Sequence, residues 1–232
     1  LAEKANRIIN LTNGEAAFDT AISILPFLKK HHIYGDLNTC QAQVMEELAD
    51  KFHMQSIPFV DGVIMGPASL YKHKVHIIAS GRDAERFTSL LNNIGMNIEY
   101  MQGPAGSAVT LKMIRSIFIK GLSALCIETF INAKVISDST LKRVINSMNS
   151  TFSLPFNQVM ERLILETIKH SKRRLNEMDD VIKLEQENGI KPLMTLASRE
   201  LLHAISETNN GVPPNVPSSL QDGDLMKILM EV

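Results

Sequence analysis

Gly103-Pro104-Ala105-Gly106-Ser107-Ala108-Val109-Thr110-Leu111-Lys112-Met113-Ile114-Arg115-Ser116 (GPAGSAVTLKMIRS) divides the chain into two kinds of text. Upstream, short β-rich runs alternate with helical ones. Arg7–Leu11 (RIINL) reads as a strand ending in the turn Thr12-Asn13-Gly14, and residues 15–30 read as a helix. His32–Asp36 (HIYGD), Ile57–Met65, Lys74–Ala79 and Asn97–Met101 read as further strands, with helices at Gln41–Phe52 and Arg82–Asn93 between them. That alternation predicts an α/β unit with a mainly parallel sheet. Downstream no convincing strand occurs. Helices are expected over Ser107–Ser137, Asp138–Ser147, Pro155–Ile168, His170–Asn188 and Pro192–Ser206. Asp138 is a candidate N-cap and Gly189 a candidate stop residue. Asn209–Ser219 reads as a turn-rich linker, followed by a short helix at Asp224–Glu231. The fold class is therefore α/β followed by all-α, joined through a long helix. The expected divisions are 1–105, 106–208 and 209–232.

The bulk numbers suit a protein with a sizeable core. Of 232 residues, 44% are hydrophobic and 21% charged, and the net charge is −1. No global field argues for nucleic acid or an anionic membrane as partner. Cys40 and Cys126 match no metal or redox spacing and read as reduced thiols of a cytoplasmic protein. Twelve methionines against no tryptophan read as flexible core filling. The most apolar helix, Ala108–Val135, is interrupted by Lys112, Arg115, Lys120 and Glu128, so no membrane span is expected.

That helix is apolar nearly all round, which places it in a protein interior. Yet Lys112, Ser116 and Lys120 recur every fourth residue, with Arg115 three after Lys112, so the four share one sector. A buried lysine is costly unless paired or facing water, so this sector should face a cleft. A solvated edge with snorkelling lysines is the competing reading. In a cleft, desolvation and the neighbouring Arg115 would lower the Lys112 pKa and let it exchange protons near neutrality. Glu128 falls on the far side of the helix and is expected to pair within the helical part.

Gly103–Ser116 resembles the motif of the β-hydroxyacid dehydrogenases, the superfamily of 3-hydroxyisobutyrate and 6-phosphogluconate dehydrogenases. Three other segments are similar in the right order: Asp36-Leu37-Asn38-Thr39, Asp61–Pro67 (DGVIMGP) and the Leu11-Thr12 turn. Arg173–Met178 and Gly189–Leu193 resemble pieces of the family's helical domain. The resemblance implies a partial Rossmann-like sheet, a long connecting helix and a C-terminal helical domain that serves substrate binding and dimerisation. It implies hydride transfer between NAD or NADP and a small hydroxy acid or related carbonyl compound. Lys112 takes the place of the general acid/base. Gly66 and Ser116 would position substrate, with Arg115, His170 and Arg174 as further candidates, and Leu11, Thr12 and Thr39 would lie by the cofactor. The family's asparagine is Ser116 here, its loop serine is Met65 and its second loop glycine is Pro67. These departures suit a different substrate, such as the imine or keto acid of a reductase on the same fold.

A dinucleotide site needs a strand, a G-x-G-x-x-G turn and a helix N-terminus for the pyrophosphate. The 232 residues contain no such turn, and in the family it precedes the segment matching Arg7–Leu11. Leu1 opens the chain without a methionine. Both features read as an N-terminally truncated form that binds NAD(P) poorly by itself. A homodimer through the helical domain and a small-molecule substrate are the expected partners. His170 with Lys172, Arg173 and Arg174 reads either as a solvated basic face beside Glu177, or as a group reaching the cleft to bind a carboxylate or phosphate. His73 and His76 sit on opposite sides of their expected strand, and no metal site is expected. From a different class, the chain reads as a non-catalytic dimerisation or ligand-binding module.

Overall fold

The computed structural model describes residues 1–208. They form two compact units, Leu1–Ile119 and a second from Lys120 onward. The division falls inside the long helix rather than ahead of it. The linker and short helix expected beyond residue 208 lie outside the described residues.

The first unit is a five-stranded sheet in the order β1 (Arg7–Asn10), β2 (Ile33–Asp36), β3 (Phe59–Ile64), β4 (His76–Ser80) and β5 (Asn97–Tyr100). All neighbours pair in parallel except β3 and β4. Helices α1 (Ala17–Ile24), α2 (Ala42–Met54), α3 (Ala68–Tyr71) and α4 (Ala84–Asn92) connect them. The inner strands β2, β3 and β4 are buried almost throughout, as where both faces of a sheet are covered, while the edge strands β1 and β5 are partly exposed. One core gathers Ile8, Tyr34, Met45, Leu48, Phe52, Phe59 and Val63, together with Ala108 and Val109 from the long helix α5 (Ser107–Ile136). Tyr34, Phe52 and Phe59 stack there with ring centroids 5.0 to 6.0 Å apart. On the other face Ile33, Val60, Ile77, Phe87 and Leu91 form a second core.

Two expected boundaries move. The first helix is shorter than residues 15–30: after Ile24 a 3₁₀ turn spans Leu25–Phe27. Pro26 lacks the N–H needed to continue the α ladder and crowds the preceding turn. The strand expected from Lys74 begins at His76, because Lys72–Lys74 form a second 3₁₀ turn. His73 is therefore not on the strand.

The second unit holds the remainder of α5 with α6 (Asp138–Thr151), α7 (Phe156–Lys169), α8 (Ser171–Glu187) and α9 (Leu193–Thr208). Ser137, not Asp138, is the N-cap of α6. Its backbone is extended (φ −174°, ψ 161°) and its side chain accepts from the Thr140 N–H at 3.0 Å. Asp138 is already helical and pairs with Lys134. Gly189 does stop α8. At φ +71° its N–H donates to Gln186 O and the Ile190 N–H to Glu185 O, the paired bonds of a Schellman ending.

Glu128 pairs inside this unit as expected. Its carboxylate accepts from the Leu193, Met194 and Thr195 N–H groups and the Thr195 hydroxyl at 2.7 to 2.9 Å, closing the N-terminus of α9. Burial raises the Glu128 pKa, but these donors outweigh it and hold the carboxyl below its ordinary range.

The interior position expected for α5 does not hold within one chain. Among its residues only Ala108, Val109, Glu128 and Ala133 are buried. Ile114, Ile117 and Ile127 are 61 to 76% exposed. An all-round apolar pattern marks a helix suited to burial and does not by itself bury it. Among the described residues no helix is long and apolar enough to cross a membrane.

Candidate functional site

Ligands of open α/β sheets bind beyond the carboxyl ends of parallel strands. Here the parallel strands end in a row of buried polar residues, with Asn10 opposite Asp36 and Asp36 opposite Asp61 in register. Asn10 Nδ2 donates to Asp36 Oδ2 at 2.7 Å. The Asn38 backbone N–H and Nδ2 donate to Asp36 Oδ1 at 3.0 and 2.8 Å. Asn10 Oδ1 in turn accepts from the Thr12 hydroxyl at 3.0 Å and N–H at 3.3 Å. One network thus fixes the turns after β1 and β2. Leu11, Thr12 and Thr39 themselves are exposed above it.

The two turns touch through Gly14, where a Cβ would stand 2.1 Å from the Thr39 carbonyl oxygen. Only a glycine lets the backbones approach this closely.

Asp61 ties the row to α5. Its Oδ2 accepts from Ser80 Oγ at 3.0 Å, Gly106 N at 2.9 Å and Val109 N at 3.3 Å, while Ser80 Oγ accepts from Ala108 N at 2.9 Å. Strands β3 and β4 therefore hold the first turn of the helix that carries Lys112. This explains why that turn belongs to the α/β unit. Burial pushes the Asp61 and Asp36 carboxyls above their ordinary range, against the hydrogen bonds that favour the anions. Burial, then the charges of Asp36 and Asp61, push the Cys40 thiol up to about 11, so it stays protonated near neutrality.

Lys112 is half-buried and makes contacts within the protein. Ser116 Oγ donates to the Lys112 carbonyl at 2.9 Å, and Arg115 and Lys120 are exposed. Gly66 lies in an exposed turn after β3, where a side chain would meet only Val75 Cγ2, at 3.6 Å. A cleft of about 430 Å³ between α2 and α5 is lined by Glu46, Met101, Ser107, Thr110, Leu111 and Ile114, and by none of these candidates. His170 and Arg174 belong to the second unit. There His170 pairs with Glu166 at 3.4 Å and Arg174 donates to Thr167 Oγ1 at 2.7 Å. Arg173 pairs with Glu177 on an exposed face. Among the described residues no cluster of His, Cys, Asp or Glu could hold a metal ion.

Asn10, Asp36, Asn38, Asp61 and Ser80 were not singled out as site residues by sequence reasoning. Their signal was present: Asn10, Asp36 and Ser80 close apolar strand runs, Asn38 follows one, and Asp61 interrupts one.

Residues 139–205 match a domain of unknown function, DUF1932. An uncharacterized 28.5 kDa protein in the 7S RNA 5' region of Methanothermus fervidus is 25% identical over 89% of this chain and 78% of its own length. Among solved structures, a conserved protein of unknown function with structural similarity to 3-hydroxyacid dehydrogenases is 28% identical, with a TM-score of 0.54 over 86% of this chain and 74% of that one. An imine reductase from Myxococcus stipitatus in complex with NADP+ is 13% identical, with a TM-score of 0.71 over 90% of this chain and 78% of that one. The chain has the fold shared by 3-hydroxyacid dehydrogenase-like proteins and imine reductases, with the domain of unknown function lying in its helical part.

Proposed function

We propose that this protein is an NAD(P)-dependent oxidoreductase in which Lys112 exchanges a proton with the substrate's reacting oxygen or nitrogen. The observation that carries the reading is the Asp61–Ser80 clamp, which sets the first turn of the Lys112 helix against the polar carboxyl ends of the parallel strands. The residues present fit one end of a dinucleotide: the Thr12 and Thr39 turns, fixed by Asn10 and Asp36 and approaching at Gly14, would hold the nicotinamide side. No glycine-rich pyrophosphate turn occurs in the 232 residues. The cofactor supplies or accepts the hydride. Lys112 Nζ supplies or removes the proton. Ser116, whose hydroxyl hydrogen is held by the Lys112 carbonyl, would offer its lone pairs to a substrate donor, and the Gly66 backbone would help to position the substrate. Arg115, exposed one turn after Lys112 on the same helix, provides positive charge for a carboxylate.

A small hydroxy acid is the first substrate class. Ser116 and Met65, at positions where the resembling family has asparagine and serine, favour an imine or keto-acid reductase as the second. The test uses protein expressed from its complete reading frame. NADH and NADPH oxidation is followed with panels of ketones, keto acids and imines, and the reverse reaction with hydroxy acids. Turnover of one panel is expected. Gly14→Ala, which must displace the Thr39 backbone, is expected to weaken NAD(P)H binding by about tenfold or more, roughly 1.4 kcal/mol. No nucleotide binding and no turnover on any panel would leave the binding-module reading in its place.

The exposed apolar side of α5 supports a second part of the proposal, a homodimer. Ile114, Ile117, Phe118, Leu125, Ile127 and Ile131 are too contiguous for a solvated helix face. Sedimentation should give twice the 25.8 kDa chain mass, and Ile114→Glu with Ile117→Glu should give monomer. A monomeric wild type at high concentration would end this part of the reading.

A further inference from the structure

The cleft of about 430 Å³ between α2 and α5 lies wholly within the first unit. Its volume falls in the range of roughly 300–1,000 Å³ usual for small-molecule sites. Met101, Leu111 and Ile114 form an apolar wall, and Glu46, Ser107 and Thr110 carry the polar side-chain atoms. No lysine, arginine or histidine is among the lining residues.

The Glu46 carboxylate stands against the first turn of α5, where a Cβ on Gly106 would lie 3.1 Å from Glu46 Oε1. A carboxylate at that place ordinarily satisfies the free N–H groups of a helix start. Here they are already engaged. The Gly106 and Val109 N–H groups donate to Asp61, Ala108 N–H to Ser80 Oγ and Ser107 N–H to the Pro104 carbonyl. Glu47, the next residue on α2, pairs with Lys51 at 3.3 Å, whereas Glu46 has no hydrogen bond or ion pair with any described residue. Both Glu46 oxygens and the Ser107 hydroxyl are open to solvent. The Thr110 hydroxyl spends its hydrogen on the Gly106 carbonyl at 2.7 Å, which leaves only lone pairs for a ligand.

A half-buried carboxylate beside apolar surface loses part of its hydration and gains no counter-charge here. A cation with an apolar tail answers both features: it neutralises Glu46 and covers Met101, Leu111 and Ile114. One carboxylate and two hydroxyls are a poor set for calcium or magnesium, which take about six or more oxygens. A primary ammonium presents three N–H donors to set against the oxygens of Glu46, Ser107 and Thr110.

We propose that this cleft binds a primary alkylammonium, its charged end on Glu46 and Ser107 and its alkyl chain along Met101, Leu111 and Ile114. The site uses no residue assigned to proton transfer or to the nucleotide, and it is tested without NAD(P)H and without turnover.

The test is titration of the full chain with n-hexylammonium chloride at constant ionic strength, followed by calorimetry and by backbone amide shifts. Neutral 1-hexanol is the matched control. Saturable binding is expected, with shifts centred on Glu46, Ser107 and Leu111, and at least about tenfold tighter than 1-hexanol. Glu46→Gln removes the charge at nearly constant shape and should abolish that preference. Thr110→Phe, at an exposed helix position, fills the cleft with Glu46 intact and should weaken both ligands. Equal binding of alcohol and ammonium, undiminished ammonium binding by Glu46→Gln, or unchanged binding by Thr110→Phe overturns the proposal. Absence of saturable binding overturns it as well; if the Leu111 and Ile114 amide shifts then depend on protein concentration, a second copy of the chain is the occupant.

Discussion

Asp61→Ala is expected to lower the stability of the α/β unit by about 3–5 kcal/mol, among the larger effects a single substitution produces. The carboxylate accepts from Ser80 Oγ, Gly106 N and Val109 N in a site where Asp61 is fully buried, and alanine strands all three donors. Water cannot readily replace them in a closed core. Asp61→Asn keeps an acceptor for the three donors and puts an amide at the position of Oδ1, which has no partner now. It should cost only about 1–2 kcal/mol. The two variants also differ from wild type in pH dependence. Burial raises the folded-state pKa of Asp61 and of Asp36 above the unfolded value of 3.8. The folded state therefore binds these protons more tightly. Their contribution to stability is fully present below pH 3.8 and is lost as pH rises through the raised values. On acidification from neutrality toward that range, urea midpoints of the wild type should gain more than those of Asp61→Asn, which keeps only the Asp36 share. Equal slopes would show that burial does not raise the Asp61 carboxyl, and an Asp61→Ala variant as stable as wild type would show that the clamp on α5 is dispensable.

Lys112→Ala carries the largest expected effect on activity. Loss of a positioned general acid/base typically costs about 10²–10⁴ in rate. The side chain is half-buried on a helix whose first turn is fixed by backbone bonds to Asp61 and Ser80, so its removal leaves that anchor in place. Nucleotide affinity should hardly change, because Thr12, Thr39 and the Asn10–Asp36 network are not altered. Lys112→Arg keeps the charge but its guanidinium does not release a proton near neutrality, so it should resemble alanine in turnover. Rescue by arginine would make the lysine a binding charge and not a proton donor.

Much of the fold was legible because the α/β unit is locally consistent. Strand runs such as HIYGD and helices such as Gln41–Phe52 state their own period, and glycine punctuation marks the change to helices at Gly103–Gly106. The antiparallel β4 was not legible. Direction depends on what a connection crosses, and the link from Ile64 to His76 gives no helical period of useful length. Ser137 outranked Asp138 as a cap because capping follows which residue is extended, which composition does not reveal. At the site, Lys112 and Ser116 were legible as one sector of a helix, but Asp61 was not legible as the anchor of that sector. Its partners Gly106 and Val109 lie more than forty residues away in sequence, and backbone N–H groups leave no trace in side-chain identity. The exposure of Ile117 was missed for a related reason: an apolar helix looks the same in sequence whether its own chain or another covers it.

The most direct measurement is kcat/KM of wild type and Lys112→Ala, side by side, on the best substrate of the panels, with the NAD(P)H dissociation constant of each determined in parallel. A loss of about hundredfold or more in turnover at unchanged nucleotide affinity is the expected result. Wild-type turnover by Lys112→Ala would contradict the assignment of this lysine as the proton-transfer group.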